Sequence, residues 1–258
     1  MRSLLVLSGG HPYEEEPFEA FMHALGDWDV THLTHPQAEE AVARGAAEQA
    51  DALLLYDMPG YTFADGTVTA RPPSRDFARA ITRRFEAGRG AVALHHALAG
   101  WAEWDEWHDW LSGRFFYQRG KWRGHAFPDS GYRHDVEYSA CVVADHPVTA
   151  GLPESFAVTD ELYLCPIDES AITPLIRAEG FSFTPANFHS AANAVAGEMF
   201  SRAGWDHPPG SNCVGWETRA IDAPIIYLQF GDGPAAYGNR HVRRAVANAL
   251  NYISGEEP

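Results

Sequence analysis

Four polar residues of types that do proton transfer or bind metals directly follow apolar runs in this sequence. His11 comes after Leu-Leu-Val-Leu-Ser-Gly-Gly, Asp57 ends a leucine-rich run, and His95 and His96 follow Ala-Val-Ala-Leu. Such runs are typical of strands buried on both faces of a parallel sheet. Because the carboxyl ends of parallel strands converge on one crevice, we expect these side chains to surround a single site.

The strand-to-helix turn predicted at His95 is the geometry that exposes the nucleophile in hydrolase elbows. The positive end of the following helix disfavours an imidazolium, so we expect a neutral His95 that acts as general base or metal ligand. His11, a second catalytic candidate, could share with it a divalent metal such as zinc, although no HExxH pattern occurs. Gly10 would let backbone amides approach a substrate, with His96 and Asp57 as further contacts. A buried structural histidine is the alternative at position 95.

A later segment, Val-Thr-Asp-Glu-Leu-Tyr, brings two carboxylates and a phenol together. In an extended chain Asp160 and Leu162 would face one way, and Glu161 and Tyr163 the other. One pair could therefore enter the crevice, with Glu161 as an acid or base and Tyr163 as a substrate contact. A solvated turn is the alternative.

Four tryptophans recur every three residues, at positions 101, 104, 107 and 110. Helical packing is the default interpretation of this spacing. Trp101 lies nearest the predicted turn, and stacking of its ring on a sugar is the second interpretation.

Apolar strand-like runs alternate with helical stripes over the first hundred residues, and a regular helical stripe closes the chain. This order predicts an α/β fold with a mostly parallel central sheet covered on both faces. No repeat or linker divides the chain, which favours a single domain over residues 1–258. Periodicity is weak at residues 113–135 and 181–212, which we expect to be loop-rich insertions.

The amino-acid composition limits the classes of binding partner. The 35 acidic and 19 basic side chains give a formal net charge of −16, which disfavours nucleic acid and anionic membranes. No apolar stretch approaches the ~20 residues of a membrane span. The three cysteines are widely spaced, which argues against a disulfide framework and fits a cytoplasmic protein. Assembly into a homo-oligomer is compatible with the sequence.

Taken together, four motifs resemble the ThuA-like, trehalose-utilisation family. They are SGGH, GAVALHHA, HPVTAGLP and DELY, at residues 8–11, 90–97, 146–153 and 160–163, and the likeness extends from residue 2 to about 253. The resemblance implies a three-layer, flavodoxin-like sandwich related to class I glutamine amidotransferases. In those enzymes a cysteine occupies the elbow, and the position that matches it here is His95. Because a thiolate is required to form their acyl-enzyme, a cysteine-dependent amidotransferase activity is disfavoured.

The resemblance also implies a role in carbohydrate metabolism, with disaccharides or their keto forms as candidate ligands. Family members commonly carry Leu-Gly-His after the last core strand, whereas this chain has Phe-Gly-Asp, so Asp232 would supply a carboxylate there. The leading hypothesis is an enzyme that uses His95, His11 and Glu161 in acid–base chemistry. The alternative is a sugar-binding protein without catalysis, and a hydrolase with a displaced nucleophile is a weaker third.

Overall fold

A ten-stranded sheet forms the centre of the computed structural model, which describes residues 1–255. The strands are β1 (Arg2–Gly9), β2 (Trp28–Thr34), β3 (Ala52–Asp57), β4 (Tyr61–Ala64), β5 (Thr67–Ala70), β6 (Ala91–Leu94), β7 (Gly120–Trp122), β8 (His125–Phe127), β9 (Gly131–Val142), β10 (Ser155–Leu164), β11 (Thr173–Glu179), β12 (His189–Ser190), β13 (Cys213–Ala220) and β14 (Ala223–Leu228). The helices are α1 (Glu15–His23), α2 (Gln37–Ala43), α3 (Ala46–Gln49), α4 (Arg75–Glu86), α5 (Asp105–Leu111), α6 (Ala191–Val195), α7 (Pro234–Gly238) and α8 (Arg240–Ile253). Four 3₁₀ turns complete the elements, at His95–Leu98, Pro147–Thr149, Glu169–Ala171 and Pro185–Asn187.

The central sheet has a parallel half and an antiparallel half. Its order is β10-β9-β11-β13-β14-β6-β3-β1-β2, and β12 pairs with β9. The five strands from β14 to β2 are parallel, whereas β13, β11, β9 and β10 pair antiparallel. Two separate hairpins, β4-β5 and β7-β8, lie outside this sheet.

Two apolar cores, one on each face of the sheet, explain why the parallel strands are apolar throughout. Alternate residues of β1 face opposite ways: Leu4 packs with α1 and α8, and Leu5 packs in the other core with α2 and α4. The helices thus form the outer layers of a three-layer α/β sandwich, as the sequence predicts. None of the helices within residues 1–255 combines the length and hydropathy needed to cross a lipid bilayer.

The two segments predicted to be loop-rich contain regular structure. Residues 113–135 include the β7-β8 hairpin and the beginning of β9, and residues 181–212 include β12 and α6. The weak periodicity reflects strands that are short or irregularly paired. Because β9 begins at Gly131, part of the first segment belongs to the sheet itself.

Backbone geometry at the end of β1 requires glycine. Gly9 and Gly10 have φ values of +97° and +86°. A Cβ at Gly10 would lie 2.1 Å from the carbonyl oxygen of Met58, so a side chain there must displace the backbone that follows β3. The close approach holds the ends of β1 and β3 together, where the sequence predicts the site.

We expect Gly10→Ala to destabilise the protein more than Gly88→Ala. Gly88 also has positive φ, at +74°, but a Cβ there would meet nothing within 4 Å. Both variants incur the left-handed cost of ~1–2 kcal/mol, and only the first adds an overpacking cost of ~1–3 kcal/mol. Urea unfolding measures the difference, and equal losses would show that the contact with Met58 relaxes freely.

Candidate functional site

A cavity of about 450 Å³ opens at the carboxyl ends of the parallel strands. Its polar lining comes from both halves of the sheet: His11, His96, His134, Glu161, Tyr163 and Asp232. The structure therefore brings together six of the nine residues that the sequence predicts for the site, counting Gly10, and adds His134. His95, Asp57 and Trp101 do not line the cavity.

His95 lies directly beneath the cavity floor and is fully buried. It follows β6 with φ +39°, so the elbow geometry predicted from the sequence is present. Its Nδ1 lies 2.5 Å from the carbonyl oxygen of Gln229, and its Nε2 lies 2.9 Å from Oε2 of Glu161. Both partners are acceptors, so both ring nitrogens carry protons.

The charge of His95 corrects the expectation of a neutral base. Burial alone would lower its pKa, but the hydrogen bond to Glu161 and the charges of Glu161, Asp232 and Asp160 raise the pKa to about 9. An imidazolium with both protons engaged cannot accept another. His95 is therefore a cation that orients the Glu161 carboxylate, and neither of its nitrogens is free to bind a metal.

A β-bulge brings Glu161 and His134 into the cavity. Asp160 pairs with Val136 and Leu162 pairs with Arg133, so two residues of β9 lie opposite Glu161 alone. Asp135, at the bulge, has φ +53°. Such bulges bend a strand and redirect its side chains.

His134 lies between the two carboxylates that line the cavity. Its Nδ1 is 3.5 Å from Oε1 of Glu161 and 3.4 Å from Oδ2 of Asp232. The hydrogen bond to Asp232 raises the pKa of His134 despite partial burial. Burial would raise the pKa of Asp232, but His134 and the charge of His95 lower it. Sequence reasoning missed His134, which lies in the segment of weak periodicity at residues 113–135.

His11 packs against His96, and a backbone carbonyl oxygen faces each of its ring nitrogens. Its Nε2 is 2.9 Å from the carbonyl oxygen of Tyr56, and its Nδ1 is 3.0 Å from that of Pro12. The two imidazole centroids are 3.6 Å apart. Burial lowers the pKa of His11 although the two carbonyl oxygens oppose the shift, and a neutral ring can donate to only one of them. The predicted metal pair of His11 and His95 is therefore not supported by this geometry.

His96 has one ring nitrogen without a partner. Its Nδ1 lies 3.1 Å from the hydroxyl of Tyr163, whereas its buried Nε2 has no hydrogen bond and lies 3.8 Å from Oδ1 of Asp232. Burial and the neighbouring imidazoles hold the pKa of His96 well below its usual value. A neutral ring with an orphaned buried nitrogen is suited to a ligand or a metal ion.

Asp160, on the opposite side of β10 from Glu161, holds the loop that carries Asp232. Its carboxylate accepts hydrogen bonds from the backbone amides of Gly231, Asp232 and Glu161, at 2.8, 3.0 and 3.0 Å. Burial raises its pKa to about 7 although these amides favour the charged form. The alternation predicted for this segment is thus present, with Asp160 in a positioning role.

Two predicted substrate contacts lie elsewhere. Asp57 is fully buried and accepts a hydrogen bond from His35 at 2.7 Å. Trp101 is also fully buried, against Phe77 and His35, and it precedes α5 rather than belonging to it. Both side chains are buried and do not line the cavity, which does not fit their predicted contact with a ligand there.

Within residues 1–255, two sets of ligand atoms are spaced closely enough to hold a cation. They are His134, Glu161 and Asp232, and His95, His96 and Asp232, each with its atoms within 4.8 Å of one another. Because both nitrogens of His95 are engaged, the first set fits better, and the orphaned nitrogen of His96 faces the same carboxylate.

Comparison with known proteins identifies the family. The model of the ThuA family, described as trehalose utilisation, matches residues 4–253. The chain belongs to the ThuA family. No curated protein matches it. This membership supports a carbohydrate-related role and confirms the resemblance seen in the sequence.

Solved structures agree on the fold of this ThuA protein. A ThuA-like protein from Parabacteroides merdae is 13% identical, with 98% of this chain and 90% of that chain covered and a TM-score of 0.67. A second, from Bacteroides uniformis, is 17% identical, with 98% and 91% covered and a TM-score of 0.63. A Thermoplasma acidophilum protein assigned to GMP synthase is 9% identical, with 98% and 94% covered and a TM-score of 0.51. The fold is therefore amidotransferase-like.

We expect Asp160→Asn to loosen the loop that carries Asp232. The side-chain NH2 group of asparagine would replace one of the two carboxylate oxygens and face a backbone N–H. That buried donor would lose its acceptor, at a cost of ~1–3 kcal/mol. Urea unfolding and hydrogen exchange at the amides of Gly231 and Asp232 measure the effect. Asp145→Asn, at an exposed position, is the control. Equal protection of the two amides in both variants would contradict the positioning role.

Proposed function

We propose that this ThuA protein is an enzyme that acts on a sugar or keto-sugar by acid–base chemistry at the cavity. The observation that carries the proposal is the Glu161 carboxylate, which lines the cavity between two imidazoles, His95 and His134. Family membership supports the carbohydrate class of the ligand. The cysteines do not line this cavity, which favours acid–base chemistry over acyl transfer.

Each residue has a distinct role in the proposed reaction. Glu161, held in place by the imidazolium of His95, removes a proton from the carbon beside a ring ketone. His134 donates its proton to the oxygen that leaves from the next carbon, so a C–H and a C–O bond break and a C=C bond forms. Asp232 keeps His134 protonated, and Tyr163 with His96 orients the ring. His11, predicted as catalytic, supports His96 by stacking.

A divalent cation is compatible with the same residues. His134, Glu161 and Asp232 offer the nitrogen and oxygen ligands that zinc accepts, and the unpartnered Nε2 of His96 is a fourth donor. When bound, a cation would polarise a sugar oxygen. Without it, the residues retain the acid–base roles described above.

The alternative function is sugar binding without catalysis, on an amidotransferase-like scaffold that lacks the cysteine nucleophile. Its supporting observation is that a protein acceptor lies within 3.0 Å of each ring nitrogen of His95 and His11. The free cysteines support a reducing, cytoplasmic location as a further proposal. A homo-oligomer stays a prediction, for which light scattering is the test.

Glu161→Gln should lower turnover ~100-fold or more, because the amide cannot accept the proton. Turnover is measured on a panel of disaccharides and their keto forms, with binding followed by calorimetry. Glu137→Gln, at an exposed position on β9, is the matched control and should keep the wild-type rate. Sugar binding with no turnover of any panel member by the wild type would favour the binding function instead.

Removal of metal with a chelator should show whether the proposed acid–base site also binds a cation. If the cation belongs to the site, chelator-treated protein takes up about one equivalent of zinc per chain. In that case His134→Ala weakens zinc binding by at least ~10-fold. His125→Ala, an exposed histidine, is the control. Zinc uptake that is equal in both variants would place any bound metal outside this cavity.

A further inference from the structure

The cavity that holds the proposed catalytic residues has a polar floor and an apolar wall. Glu161, Asp232 and the imidazoles lie on the floor, at the ends of the central strands. Phe63, Val195 and Met199 lie on the wall, contributed by the β4-β5 hairpin and by the segment around α6. A small, wholly hydroxylated ligand would leave this wall in contact with water.

Exposed apolar side chains concentrate at the opening of the cavity. Within residues 1–255, six large apolar side chains are exposed, and Phe63, Met199 and Phe200 are three of them. Phe63 is 45% exposed and Met199 is 52% exposed although both line the cavity. Phe200 lies 6.0 Å from the ring of His134, centroid to centroid. Clustered exposed apolar groups mark a binding surface, whereas isolated ones do not.

The apolar wall is held in place by the protein. Phe63 stacks on Tyr61 at 5.6 Å and meets Tyr117 edge-on at 5.1 Å. The tip of the β4-β5 hairpin approaches the end of α6, because a Cβ at Gly66 would lie 3.6 Å from the Cα of Ala196. An ordered aromatic surface loses little conformational entropy when a ligand packs on it.

The charge of the cavity selects against anions. No lysine or arginine lines it in the described part of the chain, and two of its lining residues are carboxylates. The one protonated side chain assigned to the lining, His134, already lies between the carboxylates of Glu161 and Asp232. A phosphate or carboxylate on the ligand would lose its hydration and meet two negative charges there, which favours an uncharged ligand.

We propose that the substrate is a neutral glycoside in which an apolar aryl or alkyl group is joined to the sugar. The sugar ring occupies the polar floor beside Glu161 and His96, and the apolar group packs on Phe63, Val195 and Met199. This inference rests on the proposed function, since it names the class of substrate for the same acid–base site.

Calorimetric binding of matched ligand pairs tests the inference. The probes are phenyl and methyl glucosides and galactosides of both anomers, each also with one ring hydroxyl oxidised to a ketone, together with a phenyl glucoside 6-phosphate. The best phenyl glycoside should bind the wild type at least ~10-fold more tightly than its methyl counterpart, because burial of a phenyl ring contributes that much. The 6-phosphate should bind at least ~10-fold more weakly than the uncharged phenyl glucoside.

Substitutions on the apolar wall test whether that wall causes the preference for phenyl over methyl glycosides. Phe63→Ser and Met199→Ser should each reduce the ratio of phenyl to methyl affinity, and Val143→Ser should leave it unchanged. Val143 is 48% exposed, similar to Phe63, but does not line the cavity.

Three results would overturn the inference, and none of them decides the proposed function. They are equal binding of phenyl and methyl glycosides, tighter binding of the 6-phosphate, and absence of binding by every glycoside. The proposed function is judged separately, by the turnover of disaccharides and keto-disaccharides and its loss in Glu161→Gln.

Discussion

The buried ion pair between His95 and Glu161 is the interaction on which the site depends. His95 is fully buried and Glu161 is 5% exposed, so each charge is removed from water and needs the other. His95 follows β6 in the parallel half of the sheet, and Glu161 belongs to β10 at the far antiparallel edge. The first residues of β9 extend past the part of the strand that pairs with β11, and there they pair with the last residues of β10. Because of this extension, Glu161 reaches His95.

The two halves of the sheet contribute different residues to the site. The parallel half supplies imidazoles on short, tightly constrained turns, such as the one after β6. The antiparallel half supplies His134 and Glu161 on long strands whose register is offset by the bulge at Asp135. Asp232 joins the two, because its loop follows β14 and its backbone is held by Asp160 of β10. Loss of the pair between His95 and Glu161 would leave a buried charge without its partner.

Local pattern was enough to predict the parallel core. Strands buried on both faces are continuous apolar runs, and β6 was predicted at its observed bounds because Leu94 is followed at once by two histidines. The six predicted site residues that line the cavity follow such apolar runs or lie in the family motifs. His134 does not, because its place depends on a bulge and on pairing with a strand about 25 residues later in the chain. Asp57 shows the converse, because its position at the end of β3 does not reveal which way its side chain points. Both Asp57 and Trp101 are buried away from the cavity.

The charge of His95 shows why a local electrostatic argument was insufficient. A helix N-terminus disfavours an imidazolium by ~0.3–1 kcal/mol, and one pKa unit corresponds to about 1.36 kcal/mol. The helix that follows β6 is a single 3₁₀ turn, His95–Leu98, so its contribution is less than one unit. Against it stand a carboxylate at 2.9 Å and a carbonyl at 2.5 Å, both acceptors and both contributed by distant parts of the chain. Acceptors on both ring nitrogens outweigh the dipole, so His95 is a cation. The negative charge available to the proposed acid–base chemistry lies on the partner of that cation, Glu161.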